Sequence, residues 1–213
     1  SENGQIMQRF AGAVGLRRLC LAGVGLEGEI PSTIGYCVNL EHCDFSNNLL
    51  SGVLPIELLY IMTKTDPKCR TLLNNNPGFT LPLDLDRLGS EKLKNLDLSQ
   101  CSLQSVLPFT LLRMLAEGAK INLSGNIGIT FPSNVTDLGD DLKVLPLNDC
   151  SLSGRLPLAV LRMLTKGCDV QLKDNLGLTL PPEIGELGRQ RELDLSSCSL
   201  KGESSQGARV RCR

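Results

Sequence analysis

The stretch Leu142–Pro157, which reads LKVLPLNDCSLSGRLP, carries the pattern that decides the fold. The stretch Leu93–Pro108 (LKNLDLSQCSLQSVLP) repeats it closely, and shorter copies lie at residues 40–52 and 193–202. Leu93 and Leu142 are counted as position 1 of their copies, and the copy at residues 193–202 begins at position 4. In each copy an apolar residue occupies positions 4 and 6, and asparagine or cysteine occupies position 9. A fixed period of roughly 20–29 residues with this spacing predicts a repeat solenoid in which each copy contributes one strand.

About eight such repeats, here called rungs, can be aligned between residues 16 and 202. Positions 4 and 6 are mostly apolar and alternate with polar residues, which is the period of a strand with one buried face. Parallel stacking of these strands would bury a continuous core that a single rung could not bury alone. The rungs begin at Leu16, Leu40, Lys68, Leu93, Gly118, Leu142, Gly167 and Gln190.

Position 9 holds asparagine in some rungs and cysteine in others. We expect the asparagine amide to satisfy backbone groups where the strand turns into the following loop. A buried thiol is small and a weak donor, so cysteine is expected to fill the same place. The asparagines are Asn48, Asn76, Asn126 and Asn175, and the cysteines are Cys101, Cys150 and Cys198.

Two kinds of segment follow the prolines of successive rungs. Apolar residues at helical spacing after Pro55, Pro108 and Pro157 predict short amphipathic helices. Short, glycine-punctuated segments after Pro31, Pro82, Pro132 and Pro181 predict tight turns or 3₁₀ segments. The helices are expected to bury Leu111, Leu112, Leu115, Leu158, Leu161 and Leu164. A turn at the edge of the sheet is expected to hold Thr80, Thr130 and Thr179.

The element Gly28–Gly35, which reads GEIPSTIG, recurs in weaker form along the chain. Together with the leucine spacing it resembles the plant-type subclass of leucine-rich repeats over about residues 16–202. The resemblance implies an α/β repeat solenoid, a leucine-rich repeat arc with a parallel concave sheet and alternating short helices and 3₁₀ or turn segments on the convex side. It also implies recognition of a partner, because the family serves the recognition of many unrelated partners.

The residues on either side of the rungs depart from the pattern. Residues 1–15 are expected to be the end of a preceding repeat or an N-terminal cap helix, and residues 203–213 a basic C-terminal tail. The last rung has no following strand to cover it, and an exposed parallel edge is a template for further pairing. We therefore expect that the native molecule is longer than this chain or that a partner covers its ends.

Charge and hydropathy narrow the classes of partner. The formal charge of −1 does not provide the basic stripe that phosphate binding requires, so no nucleic acid partner is expected. The chain has no apolar run of about 18 residues, so no transmembrane segment is expected. A protein partner is expected instead, and one hypothesis places the chain in a larger complex.

Nine cysteines raise the question of disulfides or a metal site. Cys101, Cys150 and Cys198 share one position in alternate rungs, which places their Cα atoms about 10 Å apart. Disulfides need roughly 4.4–6.8 Å, and thiolates held so far apart cannot share a zinc ion. We expect buried thiols, no metal and no cofactor, and a reducing intracellular or organellar compartment rather than the extracellular space. Two N-glycosylation sequons, Asn122–Ser124 and Asn134–Thr136, stand against that compartment.

The outward-facing positions of the strands form the candidate binding surface. Solenoids usually bind through this concave face, and here it is polar, mixed in charge and without Tyr or Trp. The candidate contacts are Arg17, Arg18, Glu41, His42, Asp44, Lys94, Asp97, Lys120, Asn122, Lys143, Gln171, Lys173, Arg191 and Asp194.

The single histidine, His42, stands near two acidic residues, Glu41 and Asp44. General acid–base work needs a positioned group in a shielded site, and an open sheet offers none, so a surface histidine is expected. No catalytic motif is present in the sequence, and no catalytic residue is expected. Two hypotheses remain: a non-enzymatic protein-interaction or recognition module, or a structural subunit permanently embedded in a larger assembly that covers its open ends.

Overall fold

The computed structural model describes residues 13–64, 70–88, 93, 95–132, 135, 144–165, 169–175 and 177–187. The chain divides into two compact units, Ser1–Leu103 with Ala119–Leu123 (unit 1) and Gln104–Gly118 with Ser124–Arg213 (unit 2). The boundaries expected at residues 15 and 202 stay predictions, because most of what lies beyond each is outside the described residues.

Short strands mark the first seven rungs. Unit 1 contains β1 (Arg18–Cys20), β2 (Glu27–Gly28), β3 (His42–Asp44), β4 (Leu49–Leu50), β5 (Gly52–Val53), β6 (Thr71–Leu72), β7 (Phe79–Thr80), β8 (Leu96–Asp97) and β9 (Ile121–Asn122). Unit 2 contains β10 (Val144–Pro146), β11 (Gly154–Arg155), β12 (Asp169–Gln171) and β13 (Leu178–Thr179). The strand of the eighth rung lies outside the described residues.

The predicted parallel sheet is confirmed in both units. In unit 1 the order is β1-β3-β6-β8-β9, and every pair is parallel. Position 4 of each rung lies opposite position 4 of the next, as in Leu19 with Cys43 and Leu96 with Ile121. In unit 2, β10 pairs with β12 in the same register. Because the register follows the repeat, positions 4 and 6 face the core throughout, and only Leu21 among those described is half-buried.

A second set of parallel strands lies after the position-9 turn, and the sequence did not predict it. β2 pairs with β4, β5 with β7, and β11 with β13. Thr80 and Thr179 therefore lie in strands β7 and β13, and Thr130 forms isolated parallel bridges, so the expected edge turn is wrong. Each of these strands is two residues long, and two residues are too few to show an alternating pattern.

The predicted alternation of helices and tight segments is confirmed where the structure describes it. The α-helices are α1 (Ile56–Lys64), α2 (Phe109–Ala116) and α3 (Leu158–Thr165). The 3₁₀ segments are Ser32–Tyr36, Leu85–Leu88 and Pro182–Leu187. A proline directly precedes each helix, as expected where its missing N–H costs no intrahelical bond.

The helices bury one face against the core. Leu111, Leu112 and Leu115 of α2 and Leu161 of α3 are buried as predicted. The prediction for Leu158 is wrong, because this residue is only half-buried. In the repeat, Leu158 is equivalent to Phe109, the exposed first residue of α2. Val160 and Leu161 are equivalent to the buried Leu111 and Leu112. The side chain of Leu164 lies outside the described part.

Asn76 shows how position 9 ties a rung to the rung before it. Its side chain is fully buried, and its Nδ2 donates to the carbonyl oxygens of Phe45 (2.9 Å) and Leu73 (2.8 Å). Its Oδ1 accepts the backbone N–H of Leu50 at 3.0 Å. The asparagines of rungs 2 and 7 make the corresponding bonds. The predicted role is confirmed, since one amide satisfies backbone groups in two rungs that water cannot reach.

Cys101 fills the same position with a different set of bonds. Its Sγ donates to the carbonyl oxygen of Leu73 at 3.2 Å, which is the bond to the preceding rung that an asparagine makes through Nδ2. A thiol has no oxygen to accept the next N–H of that rung. That N–H, of Gly78, donates instead to two backbone carbonyls, the one of Asn76 at 3.0 Å and the one of Cys101 at 3.3 Å. The expectation that cysteine fills this place is therefore confirmed, with the main chain replacing the amide oxygen.

The backbone after position 9 changes with the residue at position 9. Ser102 and Ser151, which follow cysteines, have φ angles of 51° and 49° in the left-handed region. Leu49, Pro77 and Ile127, which follow asparagines, have no positive φ. A positive φ turns the preceding peptide over, which in the rung of Cys101 directs the carbonyl to the neighbouring rung. Proline could not follow a cysteine in this way, because its ring holds φ near about −65°.

Because α3 buries only one face, replacing leucine by alanine should lower the free energy of unfolding more at Leu161 than at Leu158. Leu161→Ala should lower the free energy of unfolding by about 2–5 kcal/mol, because it removes a fully buried side chain and leaves a cavity. Leu158→Ala, on the same helix but half-buried, should cost roughly 1 kcal/mol. Chemical denaturation of both variants measures the difference, and equal losses would contradict the assigned face.

The residue after position 9 has a positive φ only in the cysteine rungs described. A glycine substitution there should therefore raise stability in a cysteine rung and lower it in an asparagine rung. Ser102→Gly should relieve about 1–2 kcal/mol of left-handed strain and lose about 0.5–1 kcal/mol to chain entropy, for a gain of about 0.5 kcal/mol. Leu49→Gly, at the same position after an asparagine, should instead cost about 1 kcal/mol. Thermal unfolding of the pair tests this, and a loss of stability in the Ser102 variant would count against the turn assignment.

Candidate functional site

The sheet face of unit 1, defined by the outward side chains of β1, β3, β6, β8 and β9 and their flanking residues, contains most of the predicted contacts. Arg17 and Glu41 form an exposed ion pair, with 3.0 Å between Nη1 and Oε1. Arg18 is exposed at the start of β1, and His42 is half-buried at the start of β3. Because β1 pairs with β3, Arg18 lies directly opposite His42. These predicted residues are therefore brought together.

Asp44 and Asp97 occupy the same position in rungs 2 and 4, and both are held in place. Oδ1 of Asp44 accepts the backbone N–H of Ser46 at 3.0 Å and its hydroxyl at 2.6 Å. Oδ1 of Asp97 accepts the same two groups of Ser99 at 2.9 and 2.7 Å. One oxygen of each carboxylate thus closes the turn at the end of its strand. The turn fixes the orientation of a side chain that still faces outward.

The far edge of the unit 1 sheet presents an amide and a cation. Asn122 is exposed in β9, opposite Asp97 of β8. Lys120 is exposed directly before β9. Beside the strands, the exposed amides of Asn47 and Asn75 are joined by a bond of 2.9 Å from Nδ2 to Oδ1, which links the turns of rungs 2 and 3. Polar groups therefore run across the whole face.

Unit 2 presents a smaller polar group around β12. Nε2 of Gln171 donates to Oδ2 of Asp169 at 2.7 Å, and Oε1 of Gln171 accepts from Nδ2 of Asn148 at 3.4 Å. The ammonium of Lys173 lies 3.9 Å from a carboxylate oxygen of Asp174. Gln171 and Lys173 thus both lie beside Asn148, and their role as contacts stays a prediction. The other predicted contacts, Lys94, Lys143, Arg191 and Asp194, lie outside the described residues.

A groove on the helix side of unit 1 was not predicted. It has a volume of about 610 Å³ and lies beside the 3₁₀ segment Ser32–Tyr36 and helix α1. Both tyrosines of the chain line it, with Tyr36 63% exposed and Tyr60 50% exposed. The ammonium of Lys64 lies 5.1 Å from the centre of the Tyr60 ring, a distance at which the cation and the ring attract each other. The signal available in the sequence was that the only tyrosines both fall in post-proline segments.

The described cysteines are thiols, and four of the five are buried. Burial raises the pKa of Cys43 to about 12 and that of Cys150 to about 12. Burial also raises the pKa of Cys101 to about 11, although hydrogen bonds from the backbone oppose the effect. Cys101 and Cys150 are therefore buried as predicted, and Cys198 lies outside the described residues. Cys20, which faces outward from β1, is exposed.

The residues that the structure describes contain no group of three or more His, Cys, Asp or Glu side chains that could hold a metal ion. Among their helices, none is both long and apolar enough to cross a membrane.

The repeats match a known family in sequence. The family model for the Leucine Rich Repeat matches residues 39–60 and 92–114, which contain the strands and helices of rungs 2 and 4. Receptor-like protein 9b of Arabidopsis thaliana is 35% identical over 98 residues, and Receptor-like protein 45 of the same plant is 36% identical over 102 residues. Each match covers 46% of this chain and 10% of the relative, so the chain spans about a tenth of the length of these proteins.

The fold matches solved structures of plant receptors. The plant peptide hormone receptor RGFR1, solved in complex with RGF2, has a TM-score of 0.50 and 23% identity over 83% of this chain and 27% of that chain. The leucine-rich repeat ectodomain of the plant membrane receptor kinase GASSHO1/SCHENGEN3 of Arabidopsis thaliana, in complex with CASPARIAN STRIP INTEGRITY FACTOR 2, has a TM-score of 0.47 and 22% identity over 87% and 22%. The first of these likenesses shows the leucine-rich repeat fold.

The chain contains leucine-rich repeats, and these are similar to the repeats of plant receptor-like proteins. The predicted fold and family are therefore confirmed, and the comparisons support a protein-interaction or recognition module.

The prediction of a reducing intracellular compartment is wrong. Both sequence relatives are receptor-like proteins, which points to an extracellular or membrane setting. The error has a physical cause. Cys101 and Cys150 are buried thiols because the repeat places them where other rungs have asparagine, and this geometry is independent of the compartment.

Because these thiols are buried, they should react slowly with an alkylating reagent while the protein is folded. Alkylation near neutral pH should label Cys20 rapidly in the native protein and label Cys43, Cys101 and Cys150 only in denaturant, as read by peptide mass spectrometry. Rapid native labelling of Cys101 would contradict its place in the core. A Cys20→Ser variant provides the control, because it should lose the rapid native label at that position.

The same thiols predict a loss of stability at alkaline pH. Their pKa values are raised from an ordinary value of 9.0, so above about pH 9 the unfolded chain ionises while the folded chain stays neutral. Their contribution to stability is complete below pH 9 and is lost as pH rises toward 11–12. Replacing Cys101 by Ala should flatten this part of the profile of melting temperature against pH, after the overall loss in stability is subtracted.

Proposed function

We propose that this chain forms part of the extracellular recognition region of a receptor-like protein and binds a protein or peptide ligand without catalysing a reaction. The sequence relatives, which carry receptor names, support this proposal, and so does the fold shared with a solved plant peptide hormone receptor. Because the chain spans about a tenth of those relatives, the proposal concerns this segment and its surface.

The single observation that carries the proposal is the sheet face of unit 1. Five parallel strands present their outward side chains at one register, so polar groups from five rungs lie side by side. At this face the structure places charged and amide groups that point outward, among them Arg17, Arg18, Glu41, Lys120 and Asn122. A broad surface of this kind suits the contact area of a polypeptide.

Several groups of the face are already fixed before a ligand arrives. The carboxylates of Asp44 and Asp97 are held by serine N–H and hydroxyl groups, and Arg17 is paired with Glu41. Ordering a free side chain on binding costs about 0.5–1.5 kcal/mol, so side chains held in the unbound state reduce that cost. The face carries charges of both signs, and we therefore propose a ligand that carries both acidic and basic groups.

The ligand is expected to enter at the basic edge of the face. Arg17 and Arg18 lie in or next to β1, the first strand of the sheet, and both are exposed. An acidic group of the ligand would pair there. Exposed charges are screened by salt, so binding should weaken as ionic strength rises. The contacts predicted at Lys94, Lys143, Gln171, Lys173, Arg191 and Asp194 stay predictions.

A displayed library of random peptides tests the proposed surface. Peptides selected on the wild-type chain should bind the Arg17→Glu/Arg18→Glu variant about tenfold or more weakly, because the substitutions reverse the charge of one edge. The matched control is Tyr36→Ala/Tyr60→Ala, which alters the helix-side groove and should leave binding unchanged. Surface plasmon resonance measures both, and circular dichroism confirms that both variants are folded.

The opposite pattern would overturn the proposed surface. If the tyrosine variant lost binding and the arginine variant kept it, the helix-side groove would be the contact site. Independence of affinity from salt in the wild-type chain would equally contradict a contact built on charges.

A further inference from the structure

The sheet face of unit 1 carries one sequence motif for covalent modification. Asn122, Leu123 and Ser124 form an N-glycosylation sequon whose middle residue is not proline. The chain has two such sequons with Ser or Thr, and the second, Asn134–Thr136, lies mostly outside the described residues. The buried position-9 asparagines are not followed by Ser or Thr two residues later. An acceptor asparagine on this surface is therefore confined to one rung.

The fold presents Asn122 in a way that a glycan can occupy. Its side chain is exposed, whereas Leu123 beside it is buried in the core. The backbone of β9 is tied to β8 through the main chain, with the N–H of Leu98 donating to the carbonyl oxygen of Asn122 at 2.9 Å. Modification at Nδ2 would leave this strand pairing intact. The site thus combines an exposed side chain with strand pairing made through the main-chain carbonyl.

We propose that Asn122 carries an N-linked glycan and that this glycan withdraws the β9 edge of the sheet face from ligand contact. The inference rests on the proposed extracellular function. In the reaction, Nδ2 of Asn122 forms a bond to C1 of an oligosaccharide carried on a lipid pyrophosphate. The bond from C1 to the pyrophosphate oxygen breaks, the lipid pyrophosphate leaves with the electron pair, and Nδ2 loses one proton.

The glycan would cover part of the sheet face of unit 1 and so reduce the area open to a ligand. Asn122 lies directly opposite Asp97, and Lys120 lies two residues before it, so both neighbours fall beneath the attached sugar. Arg17 and Arg18 lie at the far edge of the same five-stranded sheet, four strands away in order. The ligand would then use the β1 and β3 side of the face, with Lys120 removed from the contact set.

Peptide mapping of the secreted chain tests the proposal. The 213-residue chain is expressed with an added signal peptide in a eukaryotic secretory host. Trypsin releases residues 121–143 as one peptide, because no Lys or Arg lies between Lys120 and Lys143, so both sequons share this peptide. A Thr136→Ala variant isolates the first sequon. Its peptide should carry a glycan that an amidase releases with conversion of Asn122 to Asp.

Removal of the hydroxyl that the sequon needs provides the matched control. The double variant Ser124→Ala/Thr136→Ala keeps Asn122 and should carry no glycan. A folded, secreted Thr136→Ala protein with an unmodified Asn122 would overturn the inference.

The effect on ligand contact is tested by peptide selection on the glycosylated chain. Binding of the selected peptides should fall at least about tenfold with Arg17→Glu/Arg18→Glu. It should change less than twofold with Lys120→Glu, because the sugar covers Lys120. A tenfold loss with Lys120→Glu would overturn the masking by the glycan.

Failure of the inference and failure of the proposed function give different results. A secreted chain that binds selected peptides but has an unmodified Asn122 would remove the glycan and leave the recognition function standing. A chain that carries the glycan but yields no peptide binder in either its glycosylated or its enzymatically deglycosylated form would remove the function and leave the modification standing.

Discussion

The hydrogen bonds of the position-9 side chain are the constraint on which the rest of the structure depends. Each rung leaves backbone carbonyl and N–H groups in the interior where its strand turns into the loop, and an unsatisfied buried group costs about 1–3 kcal/mol. The side chain of Asn76 forms hydrogen bonds with three such backbone groups in two rungs. In the rung of Cys101 the thiol donates to the carbonyl of Leu73, and the backbone carbonyl of Cys101 accepts from Gly78 together with that of Asn76. The strand register, the outward face and the second set of strands all follow from rungs held at this spacing.

Much of the fold could be predicted from the sequence because the same short pattern recurs in successive rungs, and each copy supports the interpretation of the others. The alternation at positions 4 and 6 identified the sheet strands, and the prolines identified the alternating helices and 3₁₀ segments. Two-residue strands such as β7 and β13 have no period, so Thr80 and Thr179 were assigned to a turn. Leu158 was placed in the core from its spacing alone, although its repeat partner Phe109 is an exposed helix-start residue.

The candidate site was predictable in outline and not in detail. Periodicity states which side chains face outward, and it therefore found Arg17, Arg18 and Glu41. It does not state which outward side chains hold one another, so the serine contacts that fix Asp44 and Asp97 appear only in the structure. The groove beside Tyr36 and Tyr60 depends on how a 3₁₀ segment lies beside a helix, and no strand period reports on that.

The two kinds of turn have a consequence for how such a chain can change in length. Rungs 3 and 7 combine asparagine with a following 3₁₀ segment, whereas rungs 4 and 6 combine cysteine with a following helix. Deleting one rung would set two rungs of the same kind beside each other. Deleting a pair, such as residues 101–149, would leave junctions of a kind already present. The unit that can be gained or lost without repair is thus the pair of rungs.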